Sequence, residues 1–534
     1  MTKRMKSRLA LLWMSLGAGA ALFADSPRHG ASAVYGSERP RIAVVGFSPA
    51  PETDARDVWI ATAAESALER GLQRAGPWVV VPTERLVLGH RELGESSKSA
   101  VEWKSVADLC GAECLLIGTA TQRAGAFVIE LNLLDLKRPE LAPTGRVIEA
   151  PSLFGALEAA YGAAGELLRD RVAESIALSP FQTPARSPSA LEYHARALSA
   201  FRAADYANCA YYARQAIEYD ALFRPAGRLL AEVELRGAPD ARATGRLRLT
   251  RIGELAKAAG DTFDTIEIQL RQALICRTAG AFDAAQIRIE TALGTAYDAA
   301  DPIWQATAFG HMADLHLAQA PASGDGGANA ARVAQQFRRA AAWQQLALEA
   351  SLETNDRLGR VPLFHRLAML HDRLGAYDDA NRLLSECAEL TRRLGLTRSE
   401  ATTLLLTAQV FQHEKRWADA ESAGRRCLPL VSGADAAAAR VAIAMACREQ
   451  GKRDDALREF EAAYEALRIA ENLGDQLLCL REIAVLRRDV GNPAGAAQAL
   501  REAIDLAHAM KLPIEATLKT QLDEWSAGSN PARK

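Results

Sequence analysis

The sequence predicts a multidomain chain in which a small mixed α/β domain precedes an all-α solenoid of about eight helical hairpins. Three observations carry that expectation. Alanines recur at Ala197, Ala231, Ala273, Ala313, Ala368, Ala408, Ala444 and Ala484, in steps of 34, 42, 40, 55, 40, 36 and 40 residues. Before residue 178, short β-branched runs alternate with amphipathic stretches. Between the two regions, Ser179–Pro188 holds three prolines. A recurring period of this size marks stacked supersecondary units. Alternating strand and helix patterns mark a layered domain.

The first element is an export signal. Lys3, Arg4, Lys6 and Arg8 precede an apolar run from Leu9 to Phe23, which Asp25, Pro27 and Arg28 close. A basic segment followed by a short apolar one predicts a signal peptide over residues 1–24, cleaved after Ala24 or Ala33, and a periplasmic or secreted destination. The run is short for a membrane span, so no stable membrane insertion is expected after cleavage. Its loss removes four positive charges and moves the net charge from −2 to −6. A mildly acidic chain speaks against general nucleic-acid binding. Residues 25–39 are expected to form a flexible segment.

Residues 40–178 are expected to form the α/β domain. Strands are predicted at 41–47, 78–82, 114–118 and 126–134, with an edge strand at 146–148. Helices are predicted at 55–75, 103–110 and 153–177. The segments Ile42–Phe47, Ala107–Gly118 and Arg123–Asp135 resemble the amino-terminal domain of the TolB family, which implies an envelope-side binding domain. The β-propeller that follows it in TolB has no counterpart here, so TolB's own partners do not carry over. Residues 179–189 are expected to be an extended proline-rich linker that permits some tilt.

Residues 190–512 carry the repeat. Twelve residues after seven of the marker alanines stand Cys209, Ala243, Ala285, Ala380, Ala420, Ala456 and Ala496. Seven further on come Ala216, Ala292, Cys387, Cys427, Ala463 and Ala503. Where two helices cross closely, a bulky side chain would separate their axes. In Phe364–Ala380 the apolar residues fall at helical spacing, Gly375 ends the first helix, and Asp378 and Asp379 suit the start of the second. This spacing, with an aromatic before the second helix at Tyr206, Phe282, Tyr377 and Trp417, resembles the tetratricopeptide repeat (TPR) family. The resemblance implies a TPR-like right-handed solenoid that holds other proteins, with its groove lined by the first helix of each hairpin.

The long step after Ala313 is explained by a turn-rich loop insertion at 320–329. Shifting the frame by its length places Ala340 and Ala347 on the small sites. A capping helix is predicted at 513–525, to cover the last hairpin, and a disordered tail at 526–534. Most of the eight cysteines fall on small sites or the packed seam, so alanine-like filling is expected rather than disulfides. Cys110 and Cys114 are the one close pair, and their oxidation state is left open.

Catalytic patterns are missing from the sequence. It holds no phosphate-cradling glycine loop after a strand, no Gly-x-Ser-x-Gly and no His-Glu-x-x-His. The histidines have no metal spacing, and neither a cofactor nor a metal is expected. One binding pattern stands out. Four or five residues after the marker alanines lie Arg202, Arg236, Arg277, Arg373, Arg448 and Arg488, with Arg228 and Arg481 one turn before a marker. Leu270, Leu274, Met369, Val441 and Met445 are expected to share that surface. Such a row would take an acidic segment through forked hydrogen bonds. Arginine in a last helical turn also simply suits the helix dipole. The expectation is a non-enzymatic exported scaffold for partner proteins or peptides, with an accessory subunit of a separate envelope enzyme or signalling system as the rival.

Overall fold

The computed structural model describes residues 39–51, 53–75, 78–93, 100–169, 179–182, 185–320 and 327–528. The predicted signal peptide, most of the segment at 25–39 and the tail beyond 528 lie outside these residues. The chain divides into two compact units, residues 1–363 and 364–534.

The first unit begins with a six-stranded sheet of order β3-β1-β4-β5-β6, in which β2 also pairs with β4. Its strands are β1 (Arg41–Val44), β2 (Ser48–Pro49), β3 (Val79–Val81), β4 (Cys114–Arg123), β5 (Ala126–Asp135) and β6 (Thr144–Ala150). β1 runs parallel to β3 and β4, while β4, β5 and β6 form an antiparallel meander. The β4–β5 turn is tight because Ala124 and Gly125 both take positive φ, 48° and 86°. That geometry matches strand twist.

One face of the sheet is covered by α1 (Trp59–Ala75) and α4 (Leu153–Arg169). Ile60, Ala64, Leu68, Leu72, Leu157 and Leu168 pack there on Ile42, Val44, Leu116, Ile129 and Leu131. On the rest of the domain, α2 (Thr83–Glu92) lies against β1 and α3 (Ala100–Leu109) against β4. The sequence reading had no counterpart for α2, a short helix started by Thr83 directly after Pro82.

The core of this domain does not stop at residue 178. It continues without a break into Ala185, Leu191, Ala195, Ala216, Phe223 and Ala226. The proline-rich segment is therefore pinned, contrary to the expected tilt. Tyr161 Oη donates to the Ser179 carbonyl at 2.8 Å, and the Phe181 ring lies 5.2 Å from that of Tyr161. The Arg186 amide donates to Asp220 at 2.9 Å.

Eight helical hairpins follow. The first four are α5 (Pro188–Arg202) with α6 (Tyr206–Tyr219), α7 (Arg224–Leu235) with α8 (Pro239–Ala258), α9 (Thr262–Thr278) with α10 (Phe282–Asp298), and α11 (Pro302–Ala318) with α12 (Gly327–Glu353). The last four are α13 (Arg357–Arg373) with α14 (Tyr377–Arg393), α15 (Thr397–His413) with α16 (Trp417–Cys427), α17 (Gly433–Glu449) with α18 (Arg453–Ile469), and α19 (Leu473–Asp489) with α20 (Pro493–Ala509). A final helix, α21 (Ile514–Gly528), extends beyond the predicted cap and buries Leu518 against the eighth hairpin. The fold is thus a repeat solenoid preceded by a small mixed sheet domain. The two compact units part within α13, beside Pro362, whose ring cannot donate to the helix ladder.

All eight marker alanines are buried, as are Ala340 and Ala347. The second small site holds in six of seven hairpins. Ala243 is the exception: it is exposed, and Gly245 is buried in its place. A Cβ on Gly245 would lie 3.1 Å from the Ala231 carbonyl oxygen. The cause is the turn. Hairpins such as α9–α10 and α13–α14 turn through a positive φ, at Gly280 and Gly375. The α7–α8 turn has no such residue among those described, and Pro239 opens α8 instead. The helix is thereby rephased. In the fourth hairpin α12 starts at Gly327, inside the predicted loop, whose residues 321–326 lie outside the described ones.

Candidate functional site

The predicted arginines lie on or just past the first helices of six of the eight hairpins, with none on α11 or α15. In the first unit only Arg236 of the four is exposed, and the chain's own sheet domain takes up Arg202. Arg202 reaches from α5 to Glu65 of α1 at 3.0 Å. Arg70 of α1 donates to Asp264 of α9 at 3.0 Å, and Arg74 pairs with Asp261 at the same helix start. Arg224 of α7 completes the network, at 2.6 Å from Asp261 and 3.0 Å from Asp264. Asp261 also caps α9 through the Asp264 amide. Burial pushes the Asp264 carboxyl up, but Arg70, Arg228 and Arg224 outweigh it and hold the group well below the usual carboxylate range.

The contact continues along the unit. Arg39 donates to the Ala299 carbonyl, at the turn before α11, at 2.9 Å. At the turn before α13, Arg85 of α2 pairs with buried Asp356, and Arg357 bonds the Asp108 carboxylate at 2.6 Å. Gly111, with φ +79°, makes this approach possible: a Cβ there would strike the Thr354 carbonyl. The sheet domain thus contacts α5 and the starts of α9, α11 and α13.

The remaining predicted residues of this unit serve its internal packing. Arg228 pairs with Glu267 of α9. Arg236 lies over the rings of Phe201 and Tyr206 at 5.2 and 5.3 Å. Arg277 donates to the Asp314 carbonyl at 3.2 Å and sits 3.5 Å from its carboxylate. Leu270 was expected on the surface, but it is buried. Leu274 is half-buried.

In the second unit the same helix side is more open. Met369 is 44% exposed, Leu478 41% and Val485 38%. Arg373 and Arg481 are exposed, while Val441 and Met445 are half-buried. Arg448 is tied to Glu482 of α19 and to Glu449. Arg488 lies over the Trp525 ring at 4.7 Å. Asp372 of α13 is bonded by His413 of α15 at 2.8 Å. An ion pair or hydrogen bond between successive first helices is therefore a repeated device, and it takes up several of the arginines that spacing alone assigned to a ligand.

The residues that the sequence reading missed are Glu65, Arg70, Arg74 and Arg85. On α1 and α2 they read as ordinary solvated charges. Their partners Asp261 and Asp264 read as an ordinary helix cap.

None of the eight cysteines forms a disulfide, Cys110 and Cys114 included. Burial pushes the Cys110 thiol up to about 12, which makes it a poor nucleophile. Among the described residues no three His, Cys, Asp or Glu side chains are grouped to hold a metal ion, and no helix is long and apolar enough to cross a membrane.

No family model matches the chain, and no curated protein matches it. Solved structures do. A signal transduction ATPase with numerous domains from Pyrococcus horikoshii, which has a tetratricopeptide repeat sensor, matches at 13% identity and TM-score 0.47 over 69% of this chain. The match spans about half that protein's length, 53%. A tetratricopeptide repeat protein from Parabacteroides merdae matches at 14% identity and TM-score 0.35, covering 52% of this chain and 94% of its own. A Rap protein complexed with competence and sporulation factor matches at 13% identity and TM-score 0.35, covering 64% and 99%.

Proposed function

We propose that the protein is a non-enzymatic scaffold that holds a partner protein or peptide on the first-helix side of residues 364–528. One observation carries this reading. The chain's own sheet domain contacts α5 and the starts of α9, α11 and α13, whereas Met369, Arg373, Leu478, Arg481 and Val485 stand exposed on α13 and α19. Apolar side chains among guanidinium groups suit a segment that is apolar and acidic in turn. The basic start and apolar run before Asp25 favour export, and the strand pattern shared with TolB favours an envelope-side role for the sheet domain. On this reading the sheet domain is a fixed part of the scaffold and the later hairpins do the holding.

Crosslinking in intact cells, followed by mass spectrometry, tests it. Arg373→Glu with Arg481→Glu is the informative variant, because Arg277 and Arg448 have internal partners whose loss would confuse the result. Loss of a crosslinked partner at unchanged thermal stability is expected. Retention of every partner overturns the reading. Amino-terminal sequencing of the mature protein tests export separately.

A further inference from the structure

The second-helix side of the later unit holds a cleft of about 280 Å³ between α14 and α16, floored by α15. Leu384 and Leu404 form its base and are almost fully buried. Ala388 and Phe411 extend that base, and Asn381 and Arg426 stand on the walls. The cleft owes its existence to one small side chain. Ala388 follows the small site Cys387, and the same place in the next three hairpins holds Leu428, Tyr464 and Ile504. A methyl group leaves open the space that a larger side chain would fill.

Two polar groups in the cleft are unmatched. Asn381 donates to Glu414 at 3.2 Å, but its Oδ1 is buried and accepts nothing. A buried acceptor without a donor is uncommon, and a ligand donor is one way to satisfy it. Arg426 is exposed and makes no ion pair among the described residues. Its neighbours are held: Arg425 to Glu421 at 2.8 Å, and Arg392 to Glu389 at 3.2 Å.

We propose that this cleft binds the carboxyl-terminal leucine of a partner protein, an apolar residue that carries both an amide N–H and its own carboxylate. The apolar side chain covers Leu384, Ala388, Leu404 and Phe411. The amide N–H donates to Asn381 Oδ1, and the carboxylate takes the Arg426 fork. Its walls are second helices and its floor α15 carries none of Met369, Arg373, Leu478, Arg481 and Val485, so it does not rest on the preceding reading. Failure of either leaves the other standing.

N-acetyl-leucine is the smallest probe with all three groups. Saturation-transfer NMR on the full chain should show saturable binding on the order of 1 mM, the range open to so small a ligand. N-acetyl-leucinamide lacks the carboxylate and N-acetyl-alanine lacks the side chain. Each should bind at least about fivefold more weakly, the usual effect of one lost contact. Arg426→Gln should make the acid and the amide equal. Ala388→Tyr, which copies Tyr464 of a later hairpin, should abolish binding with the fold intact by circular dichroism. If it does not fold, Ala388→Leu, which copies Leu428, replaces it. Unsaturable binding, binding that survives the filled cleft, or equal binding of all three probes overturns the proposal.

Discussion

Arg70 of α1 and Asp264 of α9 are 194 residues apart in sequence and share a 3.0 Å hydrogen bond in the first unit. Asp264 is 5% exposed. A buried pair is weak evidence for net stability, since desolvation opposes attraction, but removing one partner strands the other charge. Asp264→Ala strands Arg70 and leaves Arg224 with Asp261 as its remaining carboxylate. A loss of about 3–5 kcal/mol is expected by urea unfolding. Arg70→Leu combined with Asp264→Leu should lose clearly less than the sum of the single changes. Strict additivity would mean that the pair does not join the sheet domain to the hairpins.

His194 lies at the same junction. Its ring is buried against Phe223, with ring centroids 5.1 Å apart, and burial, then Arg70, Arg228 and Arg202, lower its pKa to about 3. A histidine with a depressed folded value contributes stability above its unfolded value of 6.5, and loses it as pH falls toward 3. His194→Phe keeps the packing and removes the titration. Measured against this variant, the wild type should lose roughly 1.4 kcal/mol per pH unit below 6.5. A constant difference between the two proteins from pH 7 to pH 4.5 would contradict the assignment.

The hairpins were legible because close helix crossing needs small side chains, and Ala197 through Ala484 supply them at a visible interval. Rephasing was not legible. Ala243 satisfied the count from Ala231, yet the count assumed a turn with a positive φ, and Pro239 imposes another. The seating of the sheet domain was equally hidden. Asp261 and Asp264 carry the signature of a helix cap, and nothing local to them signals that Arg70 and Arg74 arrive from far upstream. The arginine row shows the same limit: Arg277 and Arg373 look alike in sequence, but only the structure separates a tied guanidinium from an exposed one.

The turns offer a stabilising change. Lys415, between α15 and α16, has φ +62°, in the place where Gly375 and Gly451 stand in neighbouring hairpins. The left-handed conformation costs a residue with a Cβ about 1–2 kcal/mol. Glycine in turn loses more entropy on folding, by about 0.5–1 kcal/mol. Lys415→Gly should therefore raise stability by up to about 1 kcal/mol, and Gly375→Ala should lower it by a similar amount. Chemical denaturation of the two variants checks both signs.

Asp301 caps α11, accepting from the Ile303 and Trp304 amides at 3.0 and 3.2 Å while only 3% exposed. Burial raises its pKa to about 6 against the opposing effect of those amides and Arg39. The sign is the reverse of that at His194. A carboxyl raised in the folded state contributes stability below its unfolded value of 3.8, and loses it as pH rises through 6. Asp301→Asn keeps the capping oxygen, and the two residues cap equally well. The wild type should therefore decline relative to the asparagine variant by up to about 3 kcal/mol between pH 4 and pH 7, since each pKa unit is worth about 1.4 kcal/mol. Thermal unfolding of both proteins at the two pH values reads that difference directly. Parallel behaviour would mean that Asp301 stays ionised in the fold, with the α11 amides and Arg39 fully offsetting its burial.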